Sequence, residues 1–297
     1  MKYDTIIIGG GISGLFCGIR CVKENLRTLV ISNGMSALHF SSGSIDLLGY
    51  NEDKKFVYKP FEYLNEFIYT NKLHPYAKAG EKTIKGAFDF FKQETESEGL
   101  HYYHNYELNH SHITAMGTLK PTYLSQVSVY NEKIKNAIEA KESIKILSFS
   151  GYRDYFANLT IEHVQSNSLF KGIDISIGHV KLPYSIRENE NVHEFRSIDL
   201  ARIFNSEKYL PRIAQEIKLA AEDASIVSMP AFIGIENYNK IHKRLEEMTG
   251  LLICEVPSLP PSILGMRLDN ALKTRFMNLG GELSMGDRVV GGEIVNG

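Results

Sequence analysis

Residues 5–14 read Thr-Ile-Ile-Ile-Gly-Gly-Gly-Ile-Ser-Gly, and this stretch decides the fold. It sets a G-x-G-x-x-G pattern, Gly9, Gly11 and Gly14, directly after an apolar run and directly before a helical one. Tyr3 to Ile8 reads as a buried parallel strand, Ile12 to Glu24 as a helix, and Thr28-Leu29-Val30-Ile31 as a second strand. Together they form one β-α-β unit. Each glycine has a separate task in such a unit. Gly9 makes the tight turn off the strand, Gly11 lets the backbone come close to a pyrophosphate, and Gly14 lets the helix pack on the sheet. The helix N-terminus, with its unpaired N–H groups and positive dipole end, then receives a phosphate. The predicted contact residues are Gly9, Gly10, Gly11, Ile12, Ser13 and Gly14.

One part of this fingerprint is missing. An acidic residue ordinarily ends the second strand and binds the adenosine ribose hydroxyls. Here the strand ends Ile31-Ser32-Asn33, and Ser32 is the only substitute, a weaker acceptor than a carboxylate. That weighs against an ordinary NAD or FAD site. Beyond it lies a loop rich in serine and glycine, in which Ser41, Ser42, Gly43 and Ser44 offer flexible backbone and hydroxyl donors near the mouth of the site.

Working outward, 297 residues exceed one small core and predict an α/β protein of two units. Helices are expected at Pro60 to Asn71 and Ala79 to Glu98, the acidic stretch Glu94 to Glu98 forming a solvated face. Gly117 to Thr122 reads as a loop. From Ile144 strands and helices alternate again: strands at Ile144–Phe149, Gly172–Val180, Ser225–Met229 and Leu251–Glu255, and helices near 154–165, 199–204, 210–221, 238–248 and 263–278. The prediction is a Rossmann-like domain, residues 1–50 plus 262–297, with a second helical and α/β region, 51–261, inserted into it. The end of the chain reads as strands at Glu282–Met285, Arg288–Val290 and Glu293–Val295. It stops at Asn296-Gly297, a dipeptide favoured at hairpin turns, so the last hairpin reads as cut short.

Chemistry-bearing clusters outside the glycine loop are few. His101, His104, His110 and His112 crowd together but match no zinc spacing, leaving a ligand contact or proton carrier as the alternative. Cys17 and Cys21 share a helix face and read as small apolar residues on the sheet; an odd total of three cysteines argues for a reducing compartment. Lys120, Arg187 and Arg267 are candidates for holding a phosphate or carboxylate, though each reads more simply as a surface cation. No Ser-His-Asp set or spaced carboxylate pair is present, so catalytic residues stay unassigned. A net charge of −2 gives no support for nucleic-acid binding, and the apolar, uncharged run Thr5 to Ile19 is too short and glycine-rich to span a bilayer. A cytoplasmic protein is expected, reaching a membrane only through a partner.

Several segments together resemble a known family. They are 3–14, 36–48 (SALHFSSGSIDLL), 117–125 (GTLKPTYLS), 229–234 (MPAFIG), 259–268 (LPPSILGMRL) and 280–289 (GGELSMGDRV). The chain resembles the flavoprotein oxidoreductases of the fumarate reductase and FAD-dependent class, and within them the family of the B-type subunit of anaerobic glycerol-3-phosphate dehydrogenase. The resemblance implies a flavin-binding subunit, with FMN as cofactor and FAD as the alternative. It also implies an FAD-containing catalytic subunit and a membrane-anchored iron–sulfur subunit as partners. The implied activity is a quinone-type oxidation of sn-glycerol 3-phosphate to dihydroxyacetone phosphate during anaerobic growth on glycerol. Members of the family are longer and close the flavin site with a glycine-rich C-terminal region. Related flavoproteins attach flavin covalently to a histidine in a comparable loop, which marks His39 without assigning it that role. Two other readings stay open: a stand-alone FAD-dependent oxidoreductase, and a non-catalytic scaffold that keeps the fold.

Overall fold

A computed structural model describes residues 2–182 and 194–295 of the chain. The opening unit is β1 (Thr5–Ile8), α1 (Ile12–Lys23) and β2 (Thr28–Ser32). β1 pairs parallel with β2, Ile7 beside Val30. The far end of the chain adds a third strand to this sheet, because β11 (Glu282–Met285) pairs parallel with the other edge of β2, Leu283 beside Val30. Side chains alternate across the sheet. Val30 is therefore buried against the helices, while Ile6 and Ile8 on the opposite face of β1 are 55% and 70% exposed.

Three helices follow: α2 (Pro60–Thr70), α3 (Pro75–Ala79) and α4 (Glu81–Glu96). Phe61 and Leu64 of α2 and Ile84 and Phe91 of α4 share one core with Leu15, Ile19 and Val30 of the first unit. The acidic end of α4 is a solvated face only in part, with Glu96 exposed but Glu94 turned inward. Glu94 is fully buried and paired with Lys23 of α1 and with Arg275, whose Nε lies 2.7 Å away. Burial works against the Glu94 carboxylate, but hydrogen bonds from both cations outweigh it and hold its pKa below the usual range. Helical spacing placed an acid on the inner face, where two cations could follow it.

Two short antiparallel ladders come next. β3 (Tyr102–Tyr103) pairs with β6 (Ser125–Gln126), and β4 (His110–Ile113) pairs with β5 (Leu119–Thr122). The stretch from Gly117 to Thr122 is thus mostly strand rather than loop. Pro121 sits within β5, opposite Ser111, in a two-stranded ladder where a missing N–H can be tolerated at an edge.

The second unit runs α5 (Glu132–Glu139), β7 (Ile144–Phe149), α6 (Ala157–Ser166), β8 (Ile175–Val180), α7 (Ser197–Phe204), α8 (Leu210–Ala221), β9 (Ile226–Pro230), α9 (Tyr238–Thr249) and β10 (Leu252–Val256). Its four strands form a parallel sheet in the order β10-β9-β7-β8. Strands covered on both faces should read as near-continuous apolar runs. β9 does, with all five residues buried. Phe149, Phe204 and Phe232 meet edge to face at the centre of this core. Burying each such ring contributes about 1.5–3 kcal/mol.

α10 (Ile263–Asn278) then carries the chain back to the first sheet. Ile263 belongs to the second core, whereas Leu268, Leu272 and Phe276 belong to the first. The architecture is α/β, a Rossmann-like unit with an inserted second α/β unit. β11 forms as expected, but Arg288–Val290 and Glu293–Val295 form no strands, and Val290 and Ile294 are 93% and 96% exposed. Asn296, Gly297 and Arg187 lie outside the described residues.

Candidate functional site

The glycine loop leaves β1 and enters α1 with the backbone its sequence demands. Gly9 has φ +114°, in the region that favours glycine. An added Cβ at Gly14 would lie 1.9 Å from the Gly9 carbonyl oxygen and 3.5 Å from Ile7 Cγ2, so Gly14 is required where helix meets strand. Gly11 differs. It is the N-cap residue, it has φ −80°, and nothing lies within 4 Å of where its Cβ would be. Packing within the protein therefore does not require a glycine there. No side chain caps α1, and no acidic residue occupies its first turn. An open, uncapped helix start with space above it fits the pyrophosphate of a dinucleotide.

Ser32 lies beneath this loop. It is buried, its hydroxyl donates to the Gly34 carbonyl at 3.2 Å, and a Cβ on Gly10 would come within 2.9 Å of its Oγ. The hydroxyl is left as an acceptor only. Gly286, just past β11, donates its N–H to the Ser32 carbonyl at 2.7 Å, which ties the end of the sheet to the same spot.

The serine loop is held by α10 rather than by the glycine loop. Its first residues form a short 3-10 turn, Ala37–Phe40. Gly265 of α10 passes so close that a Cβ would lie 1.9 Å from the Leu38 carbonyl oxygen. Ser262 donates its N–H to the His39 carbonyl at 2.7 Å. Gly43 has φ +67°, and a Cβ there would meet Leu264 and Gln126 at under 3 Å. Ser41 is used within the loop: its hydroxyl donates to Leu38 O at 2.8 Å and accepts from Gly43 N at 3.2 Å. Ser42 and Ser44 face one another at 2.7 Å, and Lys120 reaches both. α10 also packs on α1, so it forms a wall common to the two loops.

The remaining candidates separate clearly. His39 Nε2 lies 2.8 Å from Asp269, which Lys273 also contacts at 2.7 Å, so that ring nitrogen is engaged. His110 and His112 are buried in the β4–β5 hairpin, and burial pushes their pKa values down to about 3 and about 4. Among the described residues no group of histidine, cysteine and carboxylate side chains could hold a metal. Cys17 is exposed and Cys21 half-buried, so Cys17 does not pack on the sheet. Arg267 is not a surface cation. It is 2% exposed, forms a two-pronged pair with Glu255 at 2.6 and 3.0 Å, donates to Gly234 O and Ile233 O, and lies over the Tyr238 ring. Sequence reasoning missed it because a lone arginine in a helix carries no mark of its partner; the nearby apolar spacing of α10 was the available signal.

Residues 4–294 match the FAD binding domain family. The chain is 34% identical over 294 residues to the B-type subunit of anaerobic glycerol-3-phosphate dehydrogenase from Aliivibrio fischeri, covering 99% of this chain and 65% of the relative. It is 36% identical over 293 residues to the same subunit from Actinobacillus pleuropneumoniae, covering 99% of this chain and 68% of that protein. The chain belongs to this FAD-binding family of B-type dehydrogenase subunits. A further member, from Vibrio cholerae, is 34% identical over 293 residues, with 98% and 66% covered. The chain thus spans about 65% of the length of the Aliivibrio relative. What the family match carries for the site is FAD binding. That supports the FAD alternative and not the FMN that the resemblance implied, and the missing acid at Ser32 does not exclude FAD. The described residues contain no helix long and apolar enough to cross a membrane.

Proposed function

We propose that this chain is the flavin-binding portion of a B-type subunit of anaerobic glycerol-3-phosphate dehydrogenase, and that it holds FAD. The observation that carries the reading is the open space at Gly11 above the uncapped start of α1, in a chain that matches the FAD-binding family from residue 4 to 294. Gly9, Gly10, Gly11, Ile12, Ser13 and Gly14 would cradle the pyrophosphate through backbone N–H groups. Ser32 would accept a hydrogen bond from the adenosine ribose. Ser42, Gly43 and Ser44 would line the ring end, with Ser41 shaping the loop. We propose a flavin-binding unit of residues 1–50 plus 262–297 and an inserted region of 51–261. Helices α2 and α4 of that region lend apolar side chains to the first core.

When bound, the flavin supplies the redox chemistry, accepting and passing on electrons. The protein's part is to anchor it, exclude water and set its surroundings. In the full assembly the chain would relay electrons released as sn-glycerol 3-phosphate becomes dihydroxyacetone phosphate. An FAD-containing catalytic subunit would supply them, and a membrane-anchored iron–sulfur subunit would pass them towards quinone. That arrangement would hold this protein at the inner face of the cell membrane through its partners.

The test is the visible spectrum of the freshly purified chain, with cofactor released by heat and chromatographed. FAD is the expected product. FMN would overturn the cofactor assignment, and a colourless chain that FAD cannot reconstitute would favour a scaffold. Gly11→Leu fills open space, so the variant should fold normally yet lose FAD. Unchanged retention would overturn the phosphate site.

A further inference from the structure

Lys120 on β5 projects into the serine loop, and its three ammonium protons have identifiable acceptors. Nζ lies 3.2 Å from Ser42 Oγ, 2.6 Å from Ser44 Oγ, and 2.7 and 2.6 Å from the two oxygens of Asp46. An ammonium can only donate, so both serine oxygens act as acceptors towards it and both hydroxyl protons must point elsewhere. The two serine oxygens are 2.7 Å apart, a good hydrogen bond, whereas Ser44 Oγ to Asp46 Oδ1 is 3.4 Å, a poor one. The best arrangement has Ser44 donating to Ser42. The Ser42 proton then has no acceptor among the described residues, and Ser42 is only half-buried.

We propose that Lys120 and Ser44 turn Ser42 into a polarised hydrogen-bond donor aimed at an acceptor atom, a carbonyl oxygen or ring nitrogen, of the bound flavin. The inference rests on the flavin reading above and deepens it. Lys120 is a positioning residue here: it orients and polarises the hydroxyl through a charge-assisted bond, and Asp46 balances its charge. A donor at an acceptor atom favours the negative charge that reduction adds to the ring. The cluster would therefore set the flavin's potential, and each member should move that potential in a stated direction.

The experiment uses the whole chain reconstituted with FAD and reads FAD affinity and midpoint potential by spectroelectrochemistry. Ser42→Ala deletes one hydroxyl without disturbing the ion pair. It should weaken FAD binding about 2- to 10-fold, the worth of one hydrogen bond, and make the potential more negative. Lys120→Met should shift it further the same way, because it leaves Asp46 unbalanced, and Lys120→Arg should recover most of the loss. Asp46→Asn should shift it positive. Circular dichroism confirms folding of each variant. Wild type that takes FAD while Ser42→Ala and Asp46→Asn keep its potential and affinity would overturn this inference alone. Wild type that takes no FAD would overturn the flavin reading and this inference with it.

Discussion

Lowering the pH from 7 to 5 tests the hairpin that carries Lys120, because β4 holds two buried histidines. His110 is 6% exposed, with Nε2 2.7 Å from Ser125 Oγ and its ring stacked on Tyr130. His112, paired across the ladder with Lys120, is 2% exposed. Burial lowers their pKa values to about 3 and about 4, and for His110 the neighbouring His112 adds to the effect. An unfolded imidazole titrates near 6.5. Between that value and the folded values the unfolded chain binds protons that the folded chain refuses. The stabilisation is therefore complete above about pH 6.5 and is lost as pH falls through that value. From pH 7 to 5 the loss is roughly 1.8 kcal/mol for each histidine, about 3–4 kcal/mol together, against a typical total of about 5–15 kcal/mol. Glu94 and Glu255, held below the usual carboxylate range, begin to contribute only at lower pH, once unfolded carboxylates titrate near 4.3. Urea unfolding followed by circular dichroism at pH 7, 6 and 5 gives the measurement. The wild type should lose those 3–4 kcal/mol, and a His110→Gln/His112→Gln double variant should lose most of its pH slope. A double variant that keeps the wild-type slope would refute the assignment.

Other substitutions probe the frame around the site. Gly14→Ala places a carbon 1.9 Å from the Gly9 carbonyl oxygen and should cost about 1–3 kcal/mol in urea unfolding, unlike Gly11→Leu. Arg267→Met leaves the Glu255 carboxylate buried without its cation and should cost about 3–5 kcal/mol; a loss under 1 kcal/mol would show that the pair is dispensable. Glu94→Gln should cost about 1.5–3 kcal/mol by weakening the bonds from Lys23 and Arg275, while the exposed Glu96→Gln should change stability by less than about 0.5 kcal/mol.

The glycine loop and the strands beside it were legible because the signal there is local. A turn at Gly9, a helix from Ile12 and two apolar runs need no distant partner to be recognised. The second unit was legible for a similar reason, since its strands are apolar runs spaced by helices. The ladders β3–β6 and β4–β5 escaped notice, being two to four residues long, with Pro121 inside one. α5 left a signal that went unused: Asn131 caps Ile134 N, and Ile134 and Ala137 face inward. Glu94, Arg267 and Lys120 could not be placed by composition, because their partners lie 71, 12 and 78 residues away along the chain. A charged side chain reads as surface until the residue that neutralises it is known. The same limit applies to Ser42, whose free proton follows only from the position of Lys120.

The return of α10 and β11 to the first sheet has a consequence for synthesis. β1, α1 and β2 are made early, yet the helix that covers them and the third strand of their sheet begin about 230 and 250 residues later. At ordinary translation rates that interval is roughly 10–50 s. Throughout it Val30, Leu15 and Ile19 have no α10 to pack against, and β2 presents an open edge. The inserted unit can meanwhile form its own sheet from β7 to β10. The glycine loop is therefore translated long before the helix and third strand that pack around it, and until they arrive its strands stay open to pairing with another chain.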